Sequence, residues 1–422
     1  MDSETAASTV CPDCSAACPD NPGFVTWCDA CGWNLKPSTA APTTGTVRRR
    51  IGRWMGASVV GEFSGGRKRA AYRVAIFAYA TLVYALVIGL AVGGVAVAAL
   101  GYPNPFAVIL GIVMLAVAFL ARPQVESVPD GLRTRAELPA LYELADRVSD
   151  SIGADRVDGI LLTTDFNAFL GRFGWRRRLV LGVGLPLFTI LDGQQRVALI
   201  GHEMAHDVNG DPARGAYVGD AYRAMLELHG LLDPIATRAT HVATRGTATA
   251  SLGAMVANVA LFVLSLITRP FVLAFEVLMR RESQRAEYLA DSIAAEVAGR
   301  DAARSLLRTL HITPSLLANV RTLAVRGENE DVFGVLRRRV ADTPAREWQR
   351  LDRVMALEET QLDSTHPPTA QRIRVIDGRP LAAPLVVLDA EQRDALDRDL
   401  LSFEPAYARR LFELARDSLY QH

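Results

Sequence analysis

Residues 201–211 read GHEMAHDVNGD and place two histidines four positions apart, with a glutamate directly after the first. On an α-helix, residues four apart share a face, so His202 and His206 would aim their imidazoles at one point. Glu203 would project beside that point without occupying it. Zinc-dependent hydrolysis requires two such nitrogen ligands and a carboxylate that can take a proton from metal-bound water. The motif therefore predicts a catalytic zinc site with Glu203 as general base, provided that a third ligand lies elsewhere.

Residues 280–299, RRESQRAEYLADSIAAEVAG, offer that third ligand. Glu287 and Asp291 lie four positions apart on one face of a predicted helix that is otherwise rich in Ala, Leu and Ile. A carboxylate buried on such a face is costly without a partner, and zinc would be that partner. The alternative is an ordinary ion pair between Glu287 and Arg281 or Arg285 on a solvated helix.

All five cysteines lie before position 32, unlike the wider spread expected in a disulfide-stabilised secreted protein. Cys11 with Cys14 and Cys28 with Cys31 form two C-x-x-C pairs, and four such thiolates can bind one zinc ion tetrahedrally. We therefore predict a structural zinc ribbon with a small hairpin between the two pairs. Two alternatives stay open: a ligand set in which Cys18 pairs with Cys14, and a flexible tail of free cysteines.

The composition of the 422-residue chain indicates that its apolar residues are gathered into blocks. Its 46 basic and 46 acidic side chains give no net field that would recruit nucleic acid, and the mean hydropathy is +0.15 although 22% of residues are charged. Residues 72–100 and 106–120 are almost entirely apolar, with GYPNP at 101–105 between them. Because about 20 apolar residues cross a bilayer, we predict a two-helix transmembrane anchor at 71–122. A pair of buried core helices is the alternative.

The charges around this anchor predict its orientation. Residues 47–70 read as a basic flexible linker, with RRR at 48–50, and arginines follow the anchor at 122, 133 and 135. By the positive-inside rule, both ends of the hairpin lie in the cytoplasm. The N-terminus, MDSETAASTV, lacks the basic and apolar regions of a signal peptide. We therefore expect a multi-pass protein of the cell membrane, with the lipid bilayer as a partner and with its N-terminus and catalytic domain in the cytoplasm.

After position 123 the composition is that of a globular domain. Residues 138–153 have the pattern of an amphipathic helix, residues 177–191 look strand-forming with breaks at Gly and Pro, and a buried helix begins near Gln194. The predicted regions are a zinc ribbon at 1–46, the linker, the anchor, a mainly helical catalytic domain with a small sheet at 123–385, and a helical C-terminal extension at 386–422.

A further apolar stretch, residues 248–279, constrains the topology. If the histidine pair and Glu287 share one ion, the chain between them crosses the membrane an even number of times. Arg269 and Pro270 divide the stretch into one limb of spanning length and one that is too short. We therefore expect helices that pack on the catalytic domain or dip into the near leaflet, with a full transmembrane hairpin as the alternative.

Four ordered segments resemble the HtpX-like membrane zinc metallopeptidases, a family that also contains the CAAX prenyl endopeptidases. The segments are NAFLG at 167–171, HEMAHDVNGD at 202–211, SQRAEYLAD at 283–291 and HPPTAQRI at 366–373. The resemblance spans roughly residues 125–380 and implies a zincin-type α+β catalytic domain. One position departs from the family pattern, because Gln284 rather than arginine follows Ser283.

The resemblance also implies functions for particular residues. The implied functions are zinc ligation by His202, His206 and Glu287, general base catalysis by Glu203, support of the ligands by Asp291, and stabilisation of the intermediate or the substrate backbone by His366 and Arg372. From the residues alone, THPP at 365–368 could equally be a turn before a helix start. The implied substrates are proteins or peptides: misfolded membrane proteins first, and prenylated tails second.

The sequence thus predicts a membrane-anchored zinc endopeptidase with one catalytic and one structural zinc ion. Two rivals remain. In a catalytically inactive scaffold the ribbon would recruit partners and the histidine metal site would be purely structural. The presence of Glu203 argues against this reading, because a structural metal site does not need a general base. In a nucleic-acid-binding membrane regulator the ribbon and the RRR cluster would contact phosphate, but lipid headgroups explain a small basic cluster beside a membrane span more simply. We therefore expect no nucleic-acid partner.

Overall fold

The structure is a computed structural model that describes residues 8–19, 21, 23–35, 54, 59, 69–122, 126–232, 252–327, 331–358, 366–380 and 382–418. The chain divides into two compact units. Unit 1 takes residues 1–60, 127–210 and 286–422, and unit 2 takes residues 61–126 and 211–285. Most of the predicted linker, including its RRR cluster, lies outside the described residues.

The described chain is mainly helical with two small sheets, which confirms the predicted balance of secondary structure. In chain order the elements are β1 (Ser8–Val10), β2 (Ala17–Pro19), α1 (Arg69–Gly101), α2 (Pro105–Leu120), α3 (Pro139–Ile152), β3 (Gly159–Thr163), β4 (Ala168–Phe173), β5 (Arg178–Gly184), α4 (Leu185–Ile190), α5 (Gly193–Val208), α6 (Asp211–Leu232), α7 (Leu252–Ala298), α8 (Arg300–Leu310), α9 (Thr313–Arg326), α10 (Val332–Ala341), α11 (Ala345–Leu357), α12 (Thr369–Asp377), α13 (Ala390–Leu401) and α14 (Glu404–Asp417).

The larger sheet of unit 1 has the strand order β3-β5-β4. Strand β3 runs parallel to β5 with Ile160 opposite Leu181, and β4 runs antiparallel to β5 with Leu170 opposite the same residue. The central strand β5 is buried along residues 179–184, as its unbroken run of apolar residues and glycine predicts. Within the described residues β4 pairs only with β5, so its outer edge has no strand partner there.

The hydrophobic core of unit 1 lies between this sheet and the helices. Leu141 of α3, Leu181 of β5 and Ile200 of α5 are all completely buried in it. Leu396 of α13 and Leu411 of α14 belong to the same core. The predicted C-terminal extension is therefore part of the packing that stabilises the catalytic unit.

Helix α5, which carries the two histidines of the opening motif, is anchored at its first turn. The side chain of Asp192 accepts a hydrogen bond from the backbone N–H of Gln195 at 2.7 Å, and the Gln195 side chain accepts one from the N–H of Asp192 at 3.0 Å. This reciprocal pair is a capping box. The Gln195 amide also donates to Ser305 of α8 at 2.6 Å, so the start of α5 is tied to a second helix.

Two local predictions differ from the structure. In residues 177–191 the strand ends at Gly184, and LPLFTI forms the short helix α4, whose six residues are all buried. Pro186 lies in its first turn, where proline is well tolerated. In the cysteine-containing region, β1 and β2 pair around Cys11 and Cys14 instead of lying between the two C-x-x-C pairs. The hairpin therefore surrounds the first pair.

Unit 2 contains the predicted anchor as the helices α1 and α2. Gly94 of α1 and Gly111 of α2 face each other so closely that a Cβ on either would press on the backbone carbonyl of the other. Large apolar side chains of both helices stay exposed, among them Leu86, Val92 and Phe106. Residues Tyr72–Gly101 are long and apolar enough to cross a membrane, whereas the 16 residues of α2 are apolar but shorter.

Helix α7 differs from the predicted interruption at Arg269 and Pro270. It continues from Leu252 to Ala298 with Pro270 inside it. Proline removes one backbone donor, and a single such position can be accommodated inside a helix whose flanking residues favour helical structure. Residues 248–251, at the start of the predicted stretch, lie outside the described residues. The segment that carries Glu287 is thus the C-terminal part of one long helix.

The capping box of α5 gives a test of this local architecture. We expect Asp192→Ala to destabilise the first turn of α5 by about 1 kcal/mol, which is about fivefold faster amide exchange there. Hydrogen exchange followed by mass spectrometry of the 190–200 region measures this change. Asp192→Asn is the matched control, because its side-chain oxygen can still accept from Gln195. Equal exchange rates in the two variants would contradict the assignment of the cap.

Candidate active site

The three predicted zinc ligands converge within unit 1. His202 Nε2 lies 3.7 Å from Glu287 Oε2, and His206 Nε2 lies 3.6 Å from Glu287 Oε1. Their potential ligand atoms all lie within 4.8 Å of one another. Tetrahedral bonds of about 2.1 Å to zinc place ligand atoms about 3.4 Å apart, so this spacing fits one zinc ion with little movement. Glu287 is buried, which excludes the alternative of a solvated helix surface.

Asp291 fixes the orientation of His202. The Asp291 carboxylate lies one turn beyond Glu287 on α7, and its Oδ1 is 3.1 Å from His202 Nδ1. A hydrogen bond donated by Nδ1–H to this carboxylate leaves Nε2 of the same ring as the atom that faces Glu287. Carboxylates that accept from a metal-binding histidine in this way set its tautomer and raise its basicity as a ligand. The predicted support of the ligands by Asp291 thus has a direct geometric basis.

Arg372 of α12 contacts the other side of the same carboxylate. Its Nε donates to Asp291 Oδ2 at 2.7 Å and its Nη2 donates to Oδ1 at 2.6 Å, so the pair is bidentate and buried. Burial would raise the pKa of Asp291, but the charge of Arg372 and its hydrogen bonds outweigh that effect and lower the pKa well below its ordinary value. The carboxylate is therefore kept ionised, and the guanidinium of Arg372 is engaged with it at the edge of the cavity described below.

His366 reaches Glu287 directly, a contact that the sequence does not reveal. Its Nδ1 lies 2.6 Å from Glu287 Oε2, and its side chain is about half exposed. Burial would raise the pKa of Glu287, but the hydrogen bond with His366 and the nearby charges of His202 and Arg372 lower it to about 2. Glu287 is therefore an anionic oxygen donor at neutral pH, which suits a divalent cation.

A cavity of about 350 Å³ opens beside these residues. Glu203, His202 and Asp291 form part of its wall together with His366 and Arg372. Glu203 makes no hydrogen bond or ion pair to another side chain within the part of the chain that the structure describes. Its carboxylate is thus available to a water molecule or a substrate in the cavity.

The remaining cavity wall is mostly apolar, and its apolar residues were not predicted from the sequence. It includes Phe166 and Asn167 before β4, and side chains of α4, α5, α7, α8 and α9 such as Leu187, Leu306 and Leu317. The pattern of residues 300–326 indicates amphipathic helices, but it does not distinguish a side chain that lines a cavity from one that fills a core. Asn167 belongs to the NAFLG segment that carries the family resemblance, but no local signal in the sequence identifies the apolar residues as part of the site.

Four of the five cysteines form a second cluster that could hold a metal ion. The Sγ atoms of Cys11 and Cys31 are 3.6 Å apart, as are those of Cys14 and Cys28, and all four lie within 4.8 Å of one another. Zinc–sulfur bonds of about 2.3 Å in a tetrahedron place sulfurs about 3.8 Å apart, so the set fits zinc. Cys18 is buried beside the cluster but outside the four, and burial raises its thiol pKa to about 11.

Comparisons with known proteins agree with this geometry. The chain is 25% identical over 278 residues to a protein named "Protease HtpX homolog" from Pyrobaculum calidifontis, an alignment that covers 64% of this chain and 76% of the relative. No solved structure matches the chain. The family described as Peptidase family M48 matches residues 138–380. This range contains the two histidines of α5, Glu287 and Asp291 of α7, and residues 366–372. This chain therefore belongs to peptidase family M48, a family of metallopeptidases, as its motifs predict.

Proposed function

We propose that the protein is a membrane-anchored, zinc-dependent endopeptidase that cleaves protein substrates on the cytoplasmic side of the membrane. The observation that carries the proposal is the convergence of His202, His206 and Glu287 beside a cavity whose wall includes Glu203. Three protein ligands leave one coordination position open, as in catalytic rather than structural zinc sites. When bound there, zinc would lower the pKa of a water molecule and polarise a substrate carbonyl.

The chain's own residues supply the proton transfer. Glu203 follows a metal ligand on α5 and borders the cavity. A carboxylate in this position can accept the proton of the attacking water and return it to the amine of the leaving peptide. His366, at the cavity and partly exposed, can donate a hydrogen bond to the oxygen that becomes negative as the carbonyl is attacked. Arg372 acts differently, because its bidentate pair with Asp291 makes it a positioning residue.

The surroundings of the site favour an extended, apolar stretch of a protein as substrate. The outer edge of β4 can pair with an extended chain, and the cavity wall presents leucines from α8 and α9. Such apolar stretches are exposed when membrane proteins misfold. Removal of misfolded membrane proteins is thus the proposed role, with cleavage of prenylated tails as the second possibility.

The anchor is proposed from the properties of unit 2. Residues Tyr72–Gly101 have the length and apolar composition of a membrane span, and many of their large side chains are exposed. Exposing such a surface to water is unfavourable, whereas lipid tails accept it. The close approach of Gly94 and Gly111 is typical of helix pairs within a bilayer. The arginines after the anchor support a cytoplasmic catalytic unit.

Glu203→Gln tests the proposed function directly. We expect it to lower kcat for cleavage of an unfolded protein such as casein by about 10²–10⁴-fold, because a glutamine cannot accept the proton. The full chain is assayed in detergent or lipid nanodiscs at equal zinc content. Glu143→Gln, on an exposed position of α3, is the control and should leave kcat unchanged. If wild type and Glu203→Gln cleave equally, the protein is a scaffold and not this peptidase.

Asp291→Asn tests the orientation of His202. The amide leaves Arg372 without its counter-charge and no longer favours the Nδ1–H tautomer of His202, so we expect a 10- to 100-fold weaker zinc affinity, roughly the cost of losing such a partner. Competition with a chromophoric chelator measures the affinity. Asp394→Asn, at an exposed position of α13, is the control. An unchanged affinity in Asp291→Asn would contradict the proposed support.

Two zinc ions per chain are expected from the two ligand sets. Replacing Cys28 and Cys31 by serine should remove the ion of the cysteine cluster and keep the ion of the peptidase site. Replacing His206 and Glu287 by alanine should remove the ion of the peptidase site and keep the other. Elemental analysis of the purified full chain gives the stoichiometry. A single ion in the wild-type protein, or loss of both ions in either double variant, would contradict the assignment of two independent sites.

A further inference from the structure

The cysteine segment, defined as residues 8–35, docks on helix α11 through one tryptophan. Trp27 is completely buried and packs against Leu35 of the segment and Val354 of α11. The guanidinium groups of Arg346 and Arg353 lie 4.6 and 4.7 Å from its ring centroid. Both arginines are on α11, about two turns from each other, so a single face of this helix encloses the indole. Cation–π contacts of this kind are strongest when they are removed from water.

Ion pairs and hydrogen bonds reinforce the same contact. Arg346 Nη1 lies 2.8 Å from Asp29 Oδ2, and its Nη2 donates to the backbone carbonyl of Trp27 at 2.9 Å. Arg353 donates to the backbone carbonyl of Asp29 at 3.1 Å. Trp27 and Asp29 immediately flank Cys28, so the arginines of α11 contact the chain on both sides of a predicted metal ligand. The shape of the cysteine cluster and the position of α11 are therefore linked.

A buried carboxylate adds a third link between the segment and α11. Asn21 donates to Glu347 Oε2 at 3.1 Å, and Glu347 is also held by Arg350 at 2.7 and 2.8 Å. Glu347 is only 1% exposed, so its charge is stabilised by these partners alone and not by water. Arg339 of α10 stacks on Phe24 at 3.8 Å and donates to the carbonyl of Gly23. The docking surface thus has a buried centre at Trp27 and Glu347, with Asp29 and Arg353 at its half-exposed rim.

The C-terminal end of α11, four residues beyond Val354, contacts the helix that carries Arg372. Glu358 directly follows α11, and its Oε2 accepts a hydrogen bond from the backbone N–H of Thr369 at 3.1 Å. Thr369 is the first residue of α12, and the preceding residue, Pro368, has no side chain that can cap a helix. Glu358 therefore supplies from a distance the cap that α12 lacks locally. His311 completes the contact, with Nε2 2.7 Å from Thr369 Oγ1 and Nδ1 3.6 Å from Glu358 Oε1.

The N-terminus of α12 is adjacent to the active site on both sides. His366, three residues before Thr369, contacts Glu287, and Arg372, three residues after it, holds Asp291. Gln371 also accepts a hydrogen bond from Tyr288, the residue after Glu287, at 2.9 Å. A shift or fraying of the first turn of α12 would therefore move two groups that orient zinc ligands.

We propose that Glu358 is a positioning residue through which the docked cysteine segment holds α12, and with it His366 and Arg372, in the geometry of the active site. The linkage runs from Trp27 to α11, from α11 to Glu358, and from Glu358 to Thr369. Each step is a direct contact within unit 1. Helix α11 is also held by Leu351 in the core and by the pair of Asp352 with Arg308 of α8. Loss of the fold of the cysteine segment would therefore loosen α11 without detaching it, and would weaken the cap of α12.

The test uses the full chain in lipid nanodiscs and two independent readouts. Glu358→Ala should raise amide exchange in residues 366–378 about fivefold, the effect expected from loss of one helix cap. It should lower kcat about tenfold or more with little change in KM, because small displacements of orienting groups are costly. Zinc content should stay at the wild-type value. Glu358→Gln, whose amide oxygen can still accept from Thr369, should restore most of both properties, and Glu143→Ala is the surface control.

Trp27→Ala tests the remote end of the linkage. We expect faster exchange in residues 366–378 and lower kcat, although the substitution is far from the active site along the chain. Trp175→Ala removes a tryptophan that is 89% exposed and is the matched control. If Trp27→Ala does not fold, Arg346→Ala replaces it, because that variant keeps the interior of the segment.

The outcomes separate the linkage from simpler explanations. If Trp27→Ala and Arg346→Ala change exchange only within residues 8–35, the segment and the active site are independent and the proposal is wrong. If Glu358→Ala leaves residues 366–378 at the wild-type rate, Glu358 is not the connection. The kcat measurement depends on the proposed peptidase function, whereas the exchange measurement does not. Failure of the wild type to cleave protein would thus leave the linkage testable.

Discussion

The buried carboxylate of Asp291 is the interaction on which the active site depends. It joins three helices, because it belongs to α7, faces His202 of α5 and forms a bidentate pair with Arg372 of α12. A buried ion pair gains little over an apolar replacement, but losing one partner leaves an uncompensated charge in a dry environment. The three helices are therefore held in one arrangement by an electrostatic requirement, and that arrangement brings the proposed zinc ligands His202, His206 and Glu287 together.

The two glutamates at the site are distinguished by what surrounds them. Glu287 lies among His202, His366 and Arg372, and their combined effect overcomes burial and keeps its pKa at about 2. Glu203 is also buried, but it borders the cavity and lacks a hydrogen-bond partner among the described residues. Identical side chains are thus suited to different tasks, one to hold a cation and the other to exchange a proton. The difference comes from residues 366–372, because His366 makes a hydrogen bond with Glu287 and Arg372 Nη2 lies 3.7 Å from Glu287 Oε2.

The sequence predicted those features that depend on short spacing or on uniform composition. The spacing of four residues predicted the shared face of His202 and His206, the paired C-x-x-C pattern predicted the four clustered thiols, and the apolar runs predicted α1 and α2. It did not predict the contact of His366 with Glu287, because the two residues are 79 positions apart and meet only after folding. The helix LPLFTI escaped prediction because all six of its residues are buried, and tertiary packing outweighs the local strand preference of its apolar residues. The course of α7 through Pro270 has another explanation, because the residues around Pro270 are exposed and the helix continues although one backbone donor is missing.

If Glu358 connects the cysteine segment to the active site, the structural stability of each region depends on that of the other. A segment of 28 residues cannot bury a sufficient core of its own, so it depends on the metal ion that its four clustered cysteines would hold and on the face of α11 that encloses Trp27. Coupling free energy between two regions is reciprocal. The free energy by which the docked segment stabilises the cap of α12 therefore equals the free energy by which an ordered active site stabilises the segment. A ligand that fixes His366 and Arg372 would strengthen the hold of α11 on the cysteine cluster, although it never touches a cysteine.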